Sequence, residues 1–300
     1  MLNKSRILRD LIAERSHPVL VSGSHDAVSA VLSEQAGFNA IWASGFGISL
    51  AQHAVPDANI MTMSENLEFA RNMNSAVSIP VIADCDNGFG NAINVIRTVR
   101  EYEKAGISGI CIEDNIFPKR NSFYEDINRS LETIEEFTGK IKAAKDAQEH
   151  DEFVLIARVE ALIAGLGIEE ALKRAHAYAA AGADAILIHS KQQTFDQLEM
   201  FASYWDHSVP LVVVPTMFPQ TPTELMHKMG FQIIIYANQA VRAAVKAMRE
   251  TLGMIVESGH AQAVQEIITP MSEMFDLVKL NELRDMENKY INQQKEMQFK

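Results

Sequence analysis

The sequence predicts an α/β fold, a (β/α)8 barrel of the TIM type, and three observations lead to this prediction. Eight short apolar runs recur with helical patterns between them, which favours repeated strand–helix units. The runs are continuously apolar, as expected of parallel strands buried on both faces. Most of them end in polar or ionisable residues, and the carboxyl ends of barrel strands build the active site. An open doubly wound sheet places its site at the same strand ends, so the polar ends alone do not establish closure.

The elements follow one another along the chain. The first residues, MLNKSRILRDLIAERSHP, mix both charge signs with apolar residues and predict an amphipathic helix, not a signal peptide. Thr62 and Glu65 have the spacing of a capping box. A later helix over 168–181 should stop before Gly182. The predicted strands are VLVSGS (19–24), AIWASG (40–45), PVIADCD (80–86), GICIED (109–114), FVLIARVE (153–160), AILIHS (185–190), LVVVPT (211–216) and FQIIIYA (231–237).

We expect two regions. Residues 1–240 form the barrel, and the polar segment 115–130 is long enough to predict a lid or a binding loop. Residues 241–300 contain more helical sequence than one barrel helix needs. We expect these C-terminal helices to complete the barrel and to pack as an arm on a neighbouring subunit. A helix that folds back on its own barrel is the alternative.

The charge balance bears on the possible partners. The chain has 39 Asp and Glu against 27 Lys and Arg, a net charge of −12. Binding to nucleic acid or to an anionic membrane would need a basic surface, so this acidic balance argues against both as partners. No apolar run approaches the roughly 20 residues of a membrane span. Two cysteines, Cys85 and Cys111, are too few for a disulfide framework, which predicts a cytoplasmic protein with buried thiols. A small anionic substrate stays possible because local charge can oppose net charge.

Acidic residues stand at the ends of two predicted strands. Asp84 and Asp86 flank Cys85, so the two-residue period of a strand places both carboxylates on one face. Glu113 ends the next strand. Such carboxylates are costly to bury without a cation, and together they favour a hard, oxygen-ligated ion such as Mg2+. Solvated loop-end acids and helix caps are the alternative interpretation.

Other strand ends carry groups that bind anions. Arg158 lies within an apolar strand and must meet a carboxylate, a phosphate or Glu160. His189 ends the sixth strand. The SGFG run at 44–47 would let backbone N–H groups approach an anion, although it lacks the third glycine of a dinucleotide fingerprint. A structural ion pair, a structural histidine and ordinary turns are the alternatives.

Several motifs resemble one enzyme family. The run 113–122, EDNIFPKRNS, is similar to the EDKxFPKxNS signature of the phosphoenolpyruvate mutase family, part of the isocitrate lyase superfamily. The similarity spans roughly residues 15–295. The other matching stretches are IWASG (41–45), IADCDNGFGN (82–91), IARVEALIAGLG (156–167), EALKRAHAYAAAGADAILIHSK (170–191), VPT (214–216) and YANQ (236–239).

The resemblance implies a Mg2+-dependent isomerase that interconverts phosphoenolpyruvate and phosphonopyruvate in phosphonate biosynthesis. It implies a homotetramer, or a dimer, with exchanged C-terminal helices. Asp84 would bind Mg2+ directly, whereas Asp86, Glu113 and Asp57 would hold metal-bound waters. The implied catalytic residues are Asp57, Lys119, Asn121, Arg158 and His189. The implied substrate-binding residues are Trp42, Ser44, Gly45, Asn121, Ser122, Arg158 and His189.

Positions in the predicted lid distinguish the alternatives. Asn115 stands where the signature has Lys, which removes one positive charge. Asn121 is the mutase residue, whereas related phosphonopyruvate hydrolases carry Thr there, so hydrolysis to pyruvate and phosphate is the second hypothesis. The carbon–carbon lyases of the superfamily, which act on 2-hydroxy or 2-oxo diacids, have a catalytic Cys in this lid, and residues 118–122 contain none. A non-catalytic barrel that binds anionic metabolites is the remaining hypothesis.

Overall fold

A computed structural model describes residues 3–122, 124 and 129–292. Its eight parallel strands close into a barrel in sequence order, and β8 pairs with β1. The predicted fold class and all eight predicted strands are confirmed. The strands are β1 (Val19–Ser24), β2 (Ala40–Ala43), β3 (Val81–Asp84), β4 (Gly109–Glu113), β5 (Val154–Val159), β6 (Ala185–Ile188), β7 (Leu211–Val213) and β8 (Phe231–Tyr236).

Helices alternate with these strands. The predicted amphipathic helix is α1, and the predicted capping box is present, with Thr62 and Glu65 satisfying each other's backbone N–H groups. No described helix is long and apolar enough to cross a membrane. The helices are α1 (Lys4–Ala13), α2 (Ala27–Gln35), α3 (Gly45–Ile48), α4 (Met63–Ala76), α5 (Ala92–Lys104), α6 (Ile134–Ala147), α7 (Gly167–Ala180), α8 (Asp196–Tyr204), α9 (Thr223–Lys228), α10 (Gln239–Ser258), α11 (Met271–Leu277) and α12 (Leu280–Glu287).

Alternate strand residues form one buried apolar cluster inside the barrel. Leu8 and Ile12 of α1 belong to the same cluster. Because side chains on a strand alternate between its faces, the residue two positions beyond the last interior apolar residue also faces inward. On five strands that residue is polar, so the alternation delivers these side chains to the carboxyl end of the barrel: Ser44 after Trp42, Asp84 after Ile82, Glu113 after Cys111, Arg158 after Ile156 and His189 after Leu187.

Both cysteines are free and buried, as the sequence predicts. Cys111 belongs to the interior cluster, whereas Cys85 packs in the cluster between the strands and the helices. Burial and the nearby Asp84 carboxylate raise the pKa of both thiols well above the usual value. The two side chains therefore act as small apolar residues.

The chain divides into two compact units, the first ending at Val241. Within the second unit, α11 and α12 are separated at Lys279, whose backbone is left-handed with φ 53°. Several large apolar side chains on these helices are exposed, among them Val278 and Phe275. Packing of this unit on a neighbouring subunit stays a prediction.

Among the glycines, Gly23 has the least room for a Cβ atom, which gives a test of the fold. A Cβ at Gly23 would lie 2.0 Å from the carbonyl oxygen of Ala237. We expect Gly23→Ala to cost about 1–3 kcal/mol and to lower the melting temperature by about 5 °C, measured by calorimetry. Gly139→Ala in α6 is the matched control, since nothing lies within 4 Å of its Cβ position. Equal melting temperatures for the two variants would contradict the strand packing described above.

Candidate active site

A cavity of about 290 Å³ lies at the carboxyl end of the barrel. Two predicted site residues lie next to lining residues: Asp86 contacts Lys119, and the Cβ position of Gly45 is 3.3 Å from Asp84 Oδ2. The other ten line the cavity directly: Trp42, Ser44, Asp57, Asp84, Glu113, Lys119, Asn121, Ser122, Arg158 and His189.

The Lys119 ammonium lies among three buried carboxylates. Its Nζ is 3.0 Å from Asp57 Oδ1, 2.5 Å from Asp86 Oδ1 and 4.0 Å from Glu113 Oε1. The Lys119 side chain is only 3% exposed, so solvent screens these contacts little. Burial disfavours the ammonium, but the carboxylates outweigh burial and raise the pKa of Lys119 well above its usual value. Lys119 is therefore a permanent cation that ties the segment after β4 to the strand ends.

Glu113 connects this cluster to Arg158. The two residues are direct neighbours in the pairing of β4 with β5, and Glu113 Oε2 lies 3.1 Å from Arg158 Nε. The Asn115 amide donates a hydrogen bond to Glu113 Oε1 at 3.0 Å. Asn115 thus keeps a donor on this carboxylate but supplies no charge, whereas a Lys would supply one.

Arg158 also belongs to a second group of buried contacts. Its Nε lies 2.6 Å from Glu160 Oε1, and its Nη2 donates to Ser122 Oγ at 2.7 Å. His189 Nδ1 lies 2.8 Å from Arg158 Nη2 and 3.1 Å from Glu160 Oε1. Ser122 Oγ in turn donates to Glu160 Oε2 at 2.8 Å. The sequence left open whether Arg158 meets Glu160 or a phosphate, and the structure shows the Glu160 contact.

The electrostatics of this second group fix its charges. Burial and the Arg158 guanidinium lower the pKa of His189, so its imidazole is neutral at pH 7. Burial alone would raise the pKa of Glu160, but Arg158 and His189 outweigh burial and hold it well below the usual range. Arg158 and Glu160 are therefore an ion pair, and this pairing fixes the orientation of the Arg158 guanidinium.

The carboxylates differ in how well they are compensated. Burial and the Asp57 and Asp84 charges raise the pKa of Asp86 to about 7, although Lys119 opposes the shift. Burial also raises the pKa of Glu113. For Asp57 the balance is reversed, because the Lys119 ammonium and the Asn121 amide outweigh burial and lower its pKa. At Asp86 and Glu113, burial and the neighbouring carboxylates therefore outweigh the positive charge that Lys119 and Arg158 supply.

Asp84, the residue predicted to bind the metal directly, lines the cavity. Its Oδ1 accepts the Asp86 N–H at 3.2 Å, and its backbone carbonyl accepts from Asn66. Among the described residues no three His, Cys, Asp or Glu side chains form a ready-made cage. Mg2+ does not need one, because it binds through one or two carboxylates and keeps several waters. The all-oxygen donors and the shortage of positive charge both fit Mg2+.

Asp57 and Asn59 hold the segment that follows β4. Asn121 Nδ2 donates to Asp57 Oδ2 at 2.9 Å, so Lys119 and Asn121 engage both oxygens of that carboxylate. Asn59 Oδ1 accepts the backbone N–H of Lys119 at 2.5 Å, and Asn59 Nδ2 donates to Asp86 Oδ2 at 2.7 Å. Lys119, Asn121 and Ser122 of the segment 115–130 therefore line the cavity, and the function of this segment as a lid stays a prediction. Residues 123 and 125–128 of that lid lie outside the described part of the chain.

Ser44 and Gly45 begin the short helix α3 beside the cavity. Ser44 Oγ caps the helix by accepting the Gly47 N–H at 3.1 Å, and the Ser44 N–H donates to Ser24 O. The backbone donor of Ser44 is thus already engaged. The Gly47 N–H is engaged as well, so in this turn the N–H groups of Gly45 and Phe46 are the ones suited to an anion.

Sequence reasoning missed several residues of the site. Asn59 lies in an irregular loop, where no pattern points to it. The other missed residues follow strand ends or belong to the segment 115–130. Those after β7 and β8 could have been predicted as Asp84 was, because the carboxyl ends of barrel strands build the active site. The additional lining residues are Phe46, Tyr124, Val214, Thr216, Ala237 and Asn238.

Comparisons with known proteins agree with one another. The family model described as phosphoenolpyruvate phosphomutase matches residues 8–256. A phosphonopyruvate hydrolase from Variovorax sp. (strain Pal2) is 49% identical over 89% of this chain and 92% of its own length.

Two solved structures are also similar. The crystal structure of phosphoenolpyruvate phosphomutase from Streptomyces platensis subsp. rosaceus matches with a TM-score of 0.94 and 43% identity, over 96% of this chain and 99% of that one. A phosphonopyruvate hydrolase in complex with oxalate and Mg2+ matches with a TM-score of 0.90 and 46% identity, over the same shares. The chain therefore belongs to the phosphoenolpyruvate phosphomutase family of the isocitrate lyase superfamily, a family of enzymes.

Proposed function

We propose that this protein is a Mg2+-dependent phosphoenolpyruvate mutase, an isomerase that moves a phosphoryl group between the enol oxygen and carbon 3 of a pyruvyl unit. One observation carries the proposal: Asn121 donates to Asp57 inside the cavity, which the buried Lys119 and the partly buried Arg158 also line. This arrangement gives a transferring phosphoryl group donors on several sides. In the direction from phosphoenolpyruvate, the reaction would form the carbon–phosphorus bond of phosphonopyruvate, which would supply phosphonate biosynthesis.

The charge balance supports a divalent metal. Five buried carboxylates (Asp57, Asp84, Asp86, Glu113 and Glu160) stand against two cations, the buried Lys119 and the partly buried Arg158, and the substrate itself is an anion. Without further positive charge, the carboxylates would repel the substrate. Asp84 would hold Mg2+ directly, and Asp57, Asp86 and Glu113 would hold its waters. When bound, Mg2+ would stabilise the negative charge of the pyruvyl oxygens, as the oxalate and Mg2+ complex of the related hydrolase suggests.

The chain's own residues would divide the remaining work. Arg158, held by Glu160, offers its guanidinium to an anionic substrate group, and neutral His189 lies against it. The Gly45 N–H would bind a carboxylate oxygen, and Trp42 forms one wall of the cavity. Phosphoryl transfer through a loose, metaphosphate-like transition state needs positioning and charge stabilisation more than covalent chemistry. Asn121, Ser122 and Lys119 would provide that positioning.

Water must be kept from the transferring group, and the structure supports such exclusion. Lys119 is 3% exposed, and Ser122 is buried by its contacts with Arg158 and Glu160. Both oxygens of Asp57 are engaged and its pKa is lowered, which makes it a poor base for activating a water. These features favour transfer back to the pyruvyl unit over hydrolysis.

Hydrolysis of phosphonopyruvate to pyruvate and phosphate is the second candidate function. The observation that favours it is the 49% identity to the Variovorax phosphonopyruvate hydrolase. The two reactions share the metal, the anion site and cleavage of the carbon–phosphorus bond. They differ in whether the phosphoryl group meets the enolate oxygen or a water.

The proposed activity is tested by phosphorus NMR of the protein with phosphonopyruvate and Mg2+. We expect a growing phosphoenolpyruvate signal that stops when a chelator removes the metal, because the anion then meets uncompensated carboxylates. Inorganic phosphate as the sole product would replace the mutase proposal with the hydrolase. An unchanged substrate signal would contradict both.

Asp84→Asn tests the assigned metal ligand. The substitution keeps the shape of the side chain but removes the charge, so we expect Mn2+ or Mg2+ affinity to fall at least about tenfold and turnover about a hundredfold. Metal affinity is measured by titration calorimetry without substrate. Asp206→Asn, at an exposed site, is the matched control. Unchanged metal affinity in Asp84→Asn would refute the assignment.

Asn121→Thr tests the distinction between transfer and hydrolysis. The threonine hydroxyl lies one bond closer to the backbone than the asparagine amide nitrogen, which lengthens the hydrogen bond to Asp57. We therefore expect the inorganic phosphate share of the products to rise by about tenfold, measured by phosphorus NMR. Asn72→Thr, on the exposed face of α4, is the control and should leave the product ratio unchanged. An identical ratio in both variants would show that Asn121 does not control this partition.

A further inference from the structure

A buried network behind the active site surrounds Asp114, the residue next to Glu113. Asp114 is 0% exposed. Its Oδ1 accepts the backbone N–H of Glu160 at 2.9 Å. Its Oδ2 accepts from Arg174 Nη1 at 2.9 Å and from the Tyr178 hydroxyl at 2.8 Å. Arg174 and Tyr178 lie one turn apart on α7, so a helix outside the barrel reaches the end of β4.

The same network holds Glu160 in place. Glu160 is the carboxylate that pairs with Arg158 and contacts Ser122 and His189. The Glu160 backbone N–H donates to Asp114, so Asp114 fixes the backbone from which the Glu160 side chain extends. Orientation of Arg158 therefore depends on a chain of contacts that begins at α7.

The network also joins the two ends of the 115–131 segment. The Glu132 N–H donates to the Asp114 carbonyl at 2.8 Å, and Arg174 Nη1 donates to the Glu132 carbonyl at 2.9 Å. Asn115 and Leu131 form an antiparallel bridge directly beyond these contacts. One guanidinium nitrogen thus contacts both the start and the end of the segment that carries Lys119.

The chemistry of the network is unusual for a purely structural role. Burying a carboxylate with a guanidinium is seldom more stabilising than apolar packing of the same volume. Here, however, the buried charges are used to hold backbone groups of Glu160 and Glu132, which apolar side chains could not do. Partners of this kind that orient the residues touching a ligand commonly change affinity or activity by about 10–100-fold.

We propose that Asp114, Arg174 and Tyr178 are positioning residues for the active site: they fix Glu160, and through it Arg158, while clamping both ends of the 115–131 segment. Their kinetic effect rests on the proposed phosphoryl-transfer function. Their effect on the backbone does not, because the contacts are present in the free protein.

Tyr178→Phe tests the proposal with the smallest change, the loss of one hydroxyl. We expect hydrogen exchange at the Glu160 and Glu132 amides to accelerate at least about fivefold in the free protein, since both are held through Asp114. We expect kcat for phosphonopyruvate to fall about tenfold, with a smaller change in KM. Tyr236→Phe is the matched control, because its hydroxyl makes one 2.8 Å contact with Thr223 instead.

Arg174→Lys is the second variant, and Arg9→Lys is its control. Arg9 makes a similar set of contacts with Asp184 and three backbone carbonyls near the amino end of β5. Arg174→Lys should accelerate exchange at the Glu132 amide, whereas Arg9→Lys should not.

Each outcome decides the proposal. Unchanged exchange at both amides in Tyr178→Phe and Arg174→Lys would overturn it, as would equal acceleration in the controls. If the unmodified protein does not turn over phosphonopyruvate, the proposed function fails, but the exchange measurements still decide whether the network positions Glu160.

Discussion

Carboxylates buried at the end of the barrel need cations, and this requirement organises the rest of the site. Lys119 supplies one cation to Asp57 and Asp86, and Arg158 supplies another to Glu160. Glu113 lies between the two cations, so the clusters are one connected electrostatic unit. The unit still has more carboxylates than cations, and burial raises the pKa of Asp86 to about 7. A divalent metal would supply further positive charge and would let an anionic substrate enter.

The same ion pairs determine where the segment after β4 lies. Lys119 and Asn121 belong to that segment, and both contact Asp57. The contacts that hold this segment against the cavity therefore also supply positive charge to the buried carboxylates. The Asp114 network also holds the two ends of this segment together. Arg174 contacts Asp114, directly before the segment, and Glu132, directly after it. Precise placement of Arg158 and protection from water thus depend on residues outside the cavity.

Membership of the family identifies a class of enzymes but does not separate a mutase from a hydrolase. Relatives with similar identities are a mutase and a hydrolase, and both reactions cleave the same carbon–phosphorus bond. In the proposed function, the same end of the barrel would stabilise the leaving enolate in either case. What differs is the acceptor of the phosphoryl group, and in the proposed function Asn121 and the access of water would select it.

The sequence by itself determined the barrel and most of the candidate site. Strand periodicity is local, so it predicted that Asp84, Glu113, Arg158 and His189 would gather at one end. The roles given to these residues came from family motifs. Tertiary structure alone decided which charge meets which: that Lys119 reaches Asp57 and Asp86, that Asn59 joins them, and that Tyr178 reaches Asp114. These contacts join residues up to 64 positions apart, and such pairs form only when the barrel closes, because neither strand nor helix periodicity encodes them.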